Sequence, residues 1–119
     1  MAEQSFTLAK LCEEVRQFNE ARAWGQYHSP RNLAMALSVE VGELLELYLW
    51  CSDDGPQPPV EGRNESVRRE LADVAICLLN LAQAADVDLG QAVMDKLAIN
   101  AQKYPIDRAF GRMEKSTEL

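Results

Sequence analysis

The chain has 119 residues, of which 47% are hydrophobic and 26% charged, and its formal net charge at pH 7 is -7. This length suits one domain with a real core and is too short for two. The excess of acidic residues argues against a nonspecific nucleic-acid binder, which would carry a basic stripe. No uncharged apolar run reaches the roughly 18 residues of a membrane-spanning helix, so no membrane partner is expected.

The three cysteines, Cys12, Cys51 and Cys77, form no CxxC motif. Their number and spacing predict neither a zinc site nor a disulfide framework, and they suit a reducing compartment. The first ten residues contain an acid and no long apolar run, so we expect no signal peptide. We therefore expect a cytoplasmic protein.

Hydrophobic periodicity predicts four helices and no strand. Segments with Gly and Pro interrupt the pattern at residues 24–32 and 51–64. We predict an all-α domain over residues 1–119 with a four-helix core, and polar termini at residues 1–6 and 106–119. The helices are expected to run from a Thr7 cap to about Ala23, from a Ser29-Pro30 start to about Trp50, from a cap at Asn64 or Ser66 to about Ala85, and from an Asp88 cap to Tyr104-Pro105.

The second predicted helix carries acidic residues inside an otherwise apolar sequence, SVEVGELLELYLW (residues 38–50). At 100° per residue, Glu40 and Glu43 lie one turn apart on the same stripe as Leu33 and Leu44. A helix that is apolar all round is usually buried, and buried carboxylates need a cation or take up protons. Glu46 lies at the edge of the stripe and could reach water.

The third helix repeats this pattern, with Glu70 and Asp73 one turn apart in RRELADVAICLLNLAQAA. If the two helices pack face to face, four carboxylates meet near the middle of the bundle. Carboxylate sites without Cys or His suit Mg²⁺ or Mn²⁺. A single ExxE motif usually lies on a solvent-exposed helix face. Two acidic pairs on two apolar helices instead favour a metal site. A di-iron bundle normally uses Glu-x-x-His, and the only histidine, His28, lies in a loop.

Four blocks resemble, in order and spacing, the MazG-like all-α nucleoside triphosphate pyrophosphohydrolases. They are WGQYHSPRNL from Trp24, EVGELLELYLW from Glu40, ELADVAI from Glu70 and KLAINAQKYP from Lys96. Within that group they are most similar to the dCTP pyrophosphatases, and the similarity spans roughly residues 8 to 119.

The resemblance implies hydrolysis of a nucleoside triphosphate to the monophosphate and pyrophosphate with Mg²⁺, or Mn²⁺, as cofactor. By position, Glu40, Glu43, Glu70 and Asp73 would be the metal ligands and catalytic carboxylates. The substrate would be bound at the base and sugar by Trp24, His28, Trp50 and Cys77, and at the phosphates by Lys96, Asn100 and Lys103.

Two positions depart from the pattern of the animal dCTP pyrophosphatases, which tend to carry His and Tyr where this chain has Val15 and Cys77. Valine forms no hydrogen bond to a base or a sugar, and a thiol offers far less than a phenol. The departures therefore leave the metal chemistry intact and weaken the expectation of a strict dCTP preference.

The sequence predicts a pyrophosphohydrolase of (d)CTP or modified deoxynucleotides that cleans the nucleotide pool. We expect a homotetramer. Helices that are apolar all round exceed what one 119-residue protomer can bury, and this supports oligomerisation independently. The alternative is a non-catalytic helical adaptor whose acidic clefts bind a basic partner. Metal dependence separates the two, because an adaptor needs no Mg²⁺.

Overall fold

The computed structural model describes residues 5–55 and 63–119, and no strand occurs in these ranges. None of the helices in this part of the chain is long and apolar enough to cross a membrane. The α-helices are α1 (Leu8–Ala21), α2 (Pro30–Glu46), α3 (Arg63–Ala84), α4 (Leu89–Lys103) and α5 (Ile106–Ala109), with 3₁₀ turns at Trp24–Tyr27 and Ser116–Glu118.

The chain divides into two compact units, Met1–Asp86 and Val87–Leu119. The first unit contains α1, α2 and α3, and the second contains α4 and α5. The single domain expected from chain length stays a prediction.

Three of the predicted helix starts are confirmed by capping hydrogen bonds. The side chains of Thr7, Ser29 and Asp88 each accept a hydrogen bond from the backbone N–H three residues further on, at 3.1, 3.1 and 3.0 Å. Pro30 occupies the first turn of α2, where its missing N–H costs no intrahelical bond. These caps satisfy backbone donors that the helix itself leaves unpaired.

The predicted end of the second helix was wrong. α2 ends at Glu46, and the N–H groups of Leu47, Tyr48 and Leu49 bond to carbonyls only three residues back. Trp50 has a left-handed backbone, with φ of 66°. The spacing of apolar residues does not reveal where the backbone becomes left-handed. The apolar pattern therefore extends beyond the observed end of the helix.

Smaller differences occur at two other helix ends. α1 ends at Ala21, and the left-handed Ala23 (φ 53°) follows it. α3 includes Arg63, so the predicted caps Asn64 and Ser66 lie inside its first turn. The predicted polar tail also contains α5, and two apolar side chains are exposed there, Ile106 in α5 and Phe110 directly after it.

The first unit is held together mainly by the packing of α2 against α3. Leu33 of α2 and Leu79 of α3 are its most buried apolar side chains, at 4% and 5% exposure. α1 joins α3 through polar side chains: Gln83 donates to the Cys12 carbonyl at 2.9 Å, and Asn19 donates to Asn80 at 2.8 Å. The α2–α3 contact is therefore the frame on which the acidic residues are held.

Replacing Asp88 by Ala should destabilise the protein by about 1 kcal/mol, because the Gln91 N–H loses its cap. Asp88→Ser retains an oxygen at the cap and should recover most of the loss. Urea unfolding followed by circular dichroism measures both variants. Equal stability of the Ala and Ser variants would contradict a capping role.

Candidate active site

Three of the four predicted metal ligands meet where α2 packs against α3. Glu40, Glu43 and Glu70 each offer a carboxylate oxygen, and these oxygens all lie within 4.8 Å of one another. The i, i+3 spacing places Glu40 and Glu43 on one face of α2, and the packing of α3 brings Glu70 to that face. Within residues 5–55 and 63–119, no Lys or Arg forms an ion pair with any of the three.

Two oxygens of this cluster, Glu40 Oε2 and Glu70 Oε2, are buried without a hydrogen-bond partner among the described residues. Burial raises the pKa of Glu40 from its ordinary value of 4.5 to about 7, and the neighbouring carboxylates of Glu43 and Glu70 and the charge of Asp73 add to the shift. Close carboxylates that lack a cation favour a shared proton. Buried, unpaired oxygens beside further carboxylates form a donor set that fits a hard divalent cation.

Asp73 lies outside the group of three but close enough for its charge to act on Glu40. Cys77, one turn further along α3, is also near both acids. Burial raises the pKa of the Cys77 thiol, and the charges of Glu40 and Asp73 raise it further. In the metal-free protein this favours the neutral thiol, and Cys77 forms part of the wall between the acids and the neighbouring cavity.

An apolar cavity of about 450 Å³ begins at Cys77 and extends between α1, α3 and the Trp24–Tyr27 turn. Trp24 meets Phe18 edge to face, with ring centroids 5.6 Å apart. Such a volume and an aromatic wall suit a small planar ligand. The full lining is Glu14, Val15, Phe18, Asn19, Trp24, His28, Ile76, Cys77 and Asn80.

A second, smaller cavity of about 290 Å³ adjoins the first. His28, Asn19 and Asn80 line both cavities. The other residues of the smaller cavity are mostly polar or small: Arg16, Glu20, Gly25, Gln83 and Ala84.

Trp24, His28 and Cys77, three of the predicted substrate-binding residues, line the larger cavity, and their contact with a substrate stays a prediction. Val15, singled out as a departure from the resembled pattern, lines it too. Trp50 is 93% exposed and lines neither cavity. Lys96, Asn100 and Lys103 lie on α4 in the second unit, and their role in phosphate binding stays a prediction.

Sequence reasoning gave no role to Asn19, Asn80, Phe18 or Ile76, all of which line the larger cavity. Asn80 carried a readable signal, because it is a polar residue on the carboxylate stripe of an otherwise apolar segment of α3. Asn19 carried none, since asparagine near the end of an amphipathic helix is ordinary.

Known proteins are similar to this chain over most of its length, including the residues of the candidate site. A model of the MazG-like family matches residues 35–119. The chain belongs to the MazG-like family. It is 47% identical over 122 residues to dCTP pyrophosphatase 1 of Mus musculus, covering 96% of this chain and 71% of the mouse protein. Identity to dCTP pyrophosphatase 1 of Homo sapiens is 41%, over 97% of this chain and 71% of the human one.

The fold is also similar to a solved structure. The crystal structure of a pyrophosphatase from Archaeoglobus fulgidus superimposes with a TM-score of 0.77 and 38% sequence identity, covering 88% of this chain and 98% of that one. The predicted MazG-like all-α fold and the family inferred from the four motifs are thereby confirmed.

The raised pKa of Glu40 predicts how the stability of the metal-free protein depends on pH. A carboxyl whose pKa rises from 4.5 to about 7 on folding stabilises the native state fully below pH 4.5, and this contribution is lost as the pH rises through 7. The free energy of unfolding in EDTA should therefore fall between about pH 5 and pH 8. Glu40→Gln cannot ionise, so its decline should be shallower in urea titrations.

The contribution of Glu40 is the difference between wild type and the Gln variant at each pH, which removes titrations common to both proteins. A difference that stays constant from pH 5 to pH 8 would contradict the raised pKa.

Proposed function

We propose that this protein is a divalent-metal-dependent pyrophosphohydrolase that converts dCTP and modified deoxynucleoside triphosphates to the monophosphate and pyrophosphate. Such an activity removes unwanted nucleotides from the pool. The observation that carries the proposal is one juxtaposition: the cluster of Glu40, Glu43 and Glu70 is joined through Cys77 to an apolar, aromatic-walled cavity. The mouse and human relatives, both dCTP pyrophosphatases, supply the substrate class.

The four carboxylates Glu40, Glu43, Glu70 and Asp73 would hold Mg²⁺, with Mn²⁺ as a substitute. Their oxygen-only donor set and the two unpaired buried oxygens fit such an ion. Such an ion would supply positive charge that offsets the charge of the triphosphate and would make a water molecule easier to deprotonate. One of the carboxylates then accepts the proton of the attacking water, as general bases in hydrolysis do.

The larger cavity would hold the base. Trp24 offers a stacking surface there, with His28 and Cys77 on the surrounding wall. Stacking tolerates several bases, because every base has a π-face. Trp50 would complete the substrate site from its exposed position, and Lys96, Asn100 and Lys103 would bind the phosphates.

Glu43→Gln tests the metal site, since it retains the side-chain shape and removes one charge that the cation requires. We expect turnover with Mg²⁺ to fall by about two orders of magnitude or more while the circular dichroism spectrum is unchanged. Glu46, exposed at the end of the same helix, provides the matched control: Glu46→Gln should stay near wild type. A similar loss in both variants would contradict the geometry.

The assay is a screen of purified protein against nucleoside triphosphates with Mg²⁺ or Mn²⁺, scoring pyrophosphate against phosphate release. A protein that hydrolyses no triphosphate, and whose melting temperature no divalent ion raises, would favour the adaptor alternative.

We further propose that the protein is a homotetramer. A protomer in which Leu33 and Leu79 are the only buried apolar side chains among the described residues has a very small core. On the side of α2 opposite Leu33, the side chains of Met35, Val39 and Leu45 are exposed at 57%, 60% and 64%. Several large apolar side chains exposed on one side of a helix often mark an interface.

Val39→Arg places a charge among these exposed apolar side chains and should lower the mass measured by light scattering after size exclusion. Gln102→Arg adds the same charge at an exposed polar position and should leave the mass unchanged. A monomeric wild type, or an unchanged mass for Val39→Arg, would refute an interface on α2.

A further inference from the structure

Asn80 is the most buried polar residue of the described chain, at 8% exposure, and it lies in α3 among apolar neighbours. Its side chain accepts a hydrogen bond from Asn19 of α1 at 2.8 Å. This pair crosses from one helix to the other and forms part of the wall of both cavities. The remaining polar atoms of the pair are not among the fully buried, unpaired side-chain atoms of the described residues, so they are accessible from the space beside the pair.

A pair of asparagines joined by one hydrogen bond leaves one amide NH₂ group and one carbonyl oxygen without a partner inside the pair. Turning both amides over exchanges which residue is the donor but preserves this outcome. No described residue outside the pair hydrogen-bonds to either side chain. No other side chain of this unit therefore determines which of the two asparagines is the donor, and a bound ligand can determine it.

We infer that the Asn19–Asn80 pair recognises the hydrogen-bonding edge of the nucleobase in the larger cavity. The inference rests on the proposed function and assigns the pair a specificity role within it. Cytosine presents an exocyclic NH₂ donor beside a ring-nitrogen acceptor, and uracil presents a carbonyl acceptor beside a ring N–H donor. Each edge matches one of the two orientations of the pair.

The location supports this role because the cavity is otherwise apolar on the sides formed by Val15, Phe18 and Ile76. A base stacked at Trp24 would find few polar groups there, and Asn19 and Asn80 are two of them. An apolar pocket alone discriminates weakly between bases of similar shape, whereas buried hydrogen-bonding groups left unpaired penalise a base strongly. The pair should thus demand a donor–acceptor edge without demanding cytosine in particular.

The test compares three triphosphates that share the deoxyribose: dCTP, dUTP and the pyrimidin-2-one analogue, in which hydrogen replaces the 4-amino group of cytosine. For wild type with Mg²⁺, kcat/KM for dCTP should exceed that for the pyrimidin-2-one roughly 10- to 100-fold, because the analogue leaves part of the pair unpaired. dUTP should lie closer to dCTP than the pyrimidin-2-one does.

Asn80→Leu and Asn19→Ala should each bring the dCTP to pyrimidin-2-one ratio close to one. Gln83→Leu is the matched control, one turn from Asn80 on the same helix and lining only the smaller cavity. It should retain the wild-type ratio. If Asn80→Leu does not fold by circular dichroism, Asn19→Ala, at a half-exposed position, decides the question.

A folded Asn19 or Asn80 variant that loses activity equally on all three substrates keeps the wild-type ratio, and this result would overturn the inference in favour of a purely structural pair. A wild type that discriminates dCTP from the pyrimidin-2-one by less than about threefold would overturn it too. Failure of the proposed function looks different, since wild type would then hydrolyse none of the three with either metal.

Discussion

The packing of α2 against α3 holds several carboxylate side chains close together. Their mutual repulsion is unfavourable, and the other features of the candidate site lie beside this cluster. Glu40, Glu43 and Glu70 converge within 4.8 Å without an ion pair to any described cationic side chain. Burial, and next the neighbouring carboxylates, raise the pKa of Glu40, so the ionised form is disfavoured in the protein alone. A divalent cation would turn the same proximity into a favourable interaction, so folding stability and metal binding depend on the same residues.

The positions of Cys77 and Asn80 show that α3 contributes both to the acidic cluster and to the apolar cavity. Both lie on the same stripe of α3 as Glu70 and Asp73, so a single face of the helix runs from the acidic cluster to the apolar cavity. Near the acids, burial and the charges of Glu40 and Asp73 raise the pKa of the Cys77 thiol. The uncharged thiol is thereby favoured, and it does not repel the carboxylates. One turn further on, the polarity changes again at Asn80, where α1 supplies the hydrogen-bond partner.

Much of this could be predicted from the sequence because the signals are local. The caps at Thr7, Ser29 and Asp88 follow from side-chain chemistry within one turn, and the i, i+3 acidic pairs place their carboxylates on one helix face regardless of context. The end of α2 could not be predicted, because the left-handed backbone at Trp50 leaves the apolar pattern unchanged. Nor could the Asn19–Asn80 bond, which joins residues 61 positions apart and depends on the way α1 packs on α3.

Val15 and Cys77, the two positions that differ from the pattern of the animal dCTP pyrophosphatases, lie in the same part of the structure. Both line the larger cavity, so the loss of polar groups relative to the resembled pattern is concentrated in a single pocket. Such a pocket has lost fixed hydrogen-bond partners while the reorientable pair Asn19–Asn80 remains. Fixed partners reject a base that lacks their complement, whereas a pair that can turn over accepts either of two edges. The wall of this cavity therefore favours tolerance among bases that carry a donor–acceptor edge, and the acidic cluster beyond Cys77 imposes no base preference of its own.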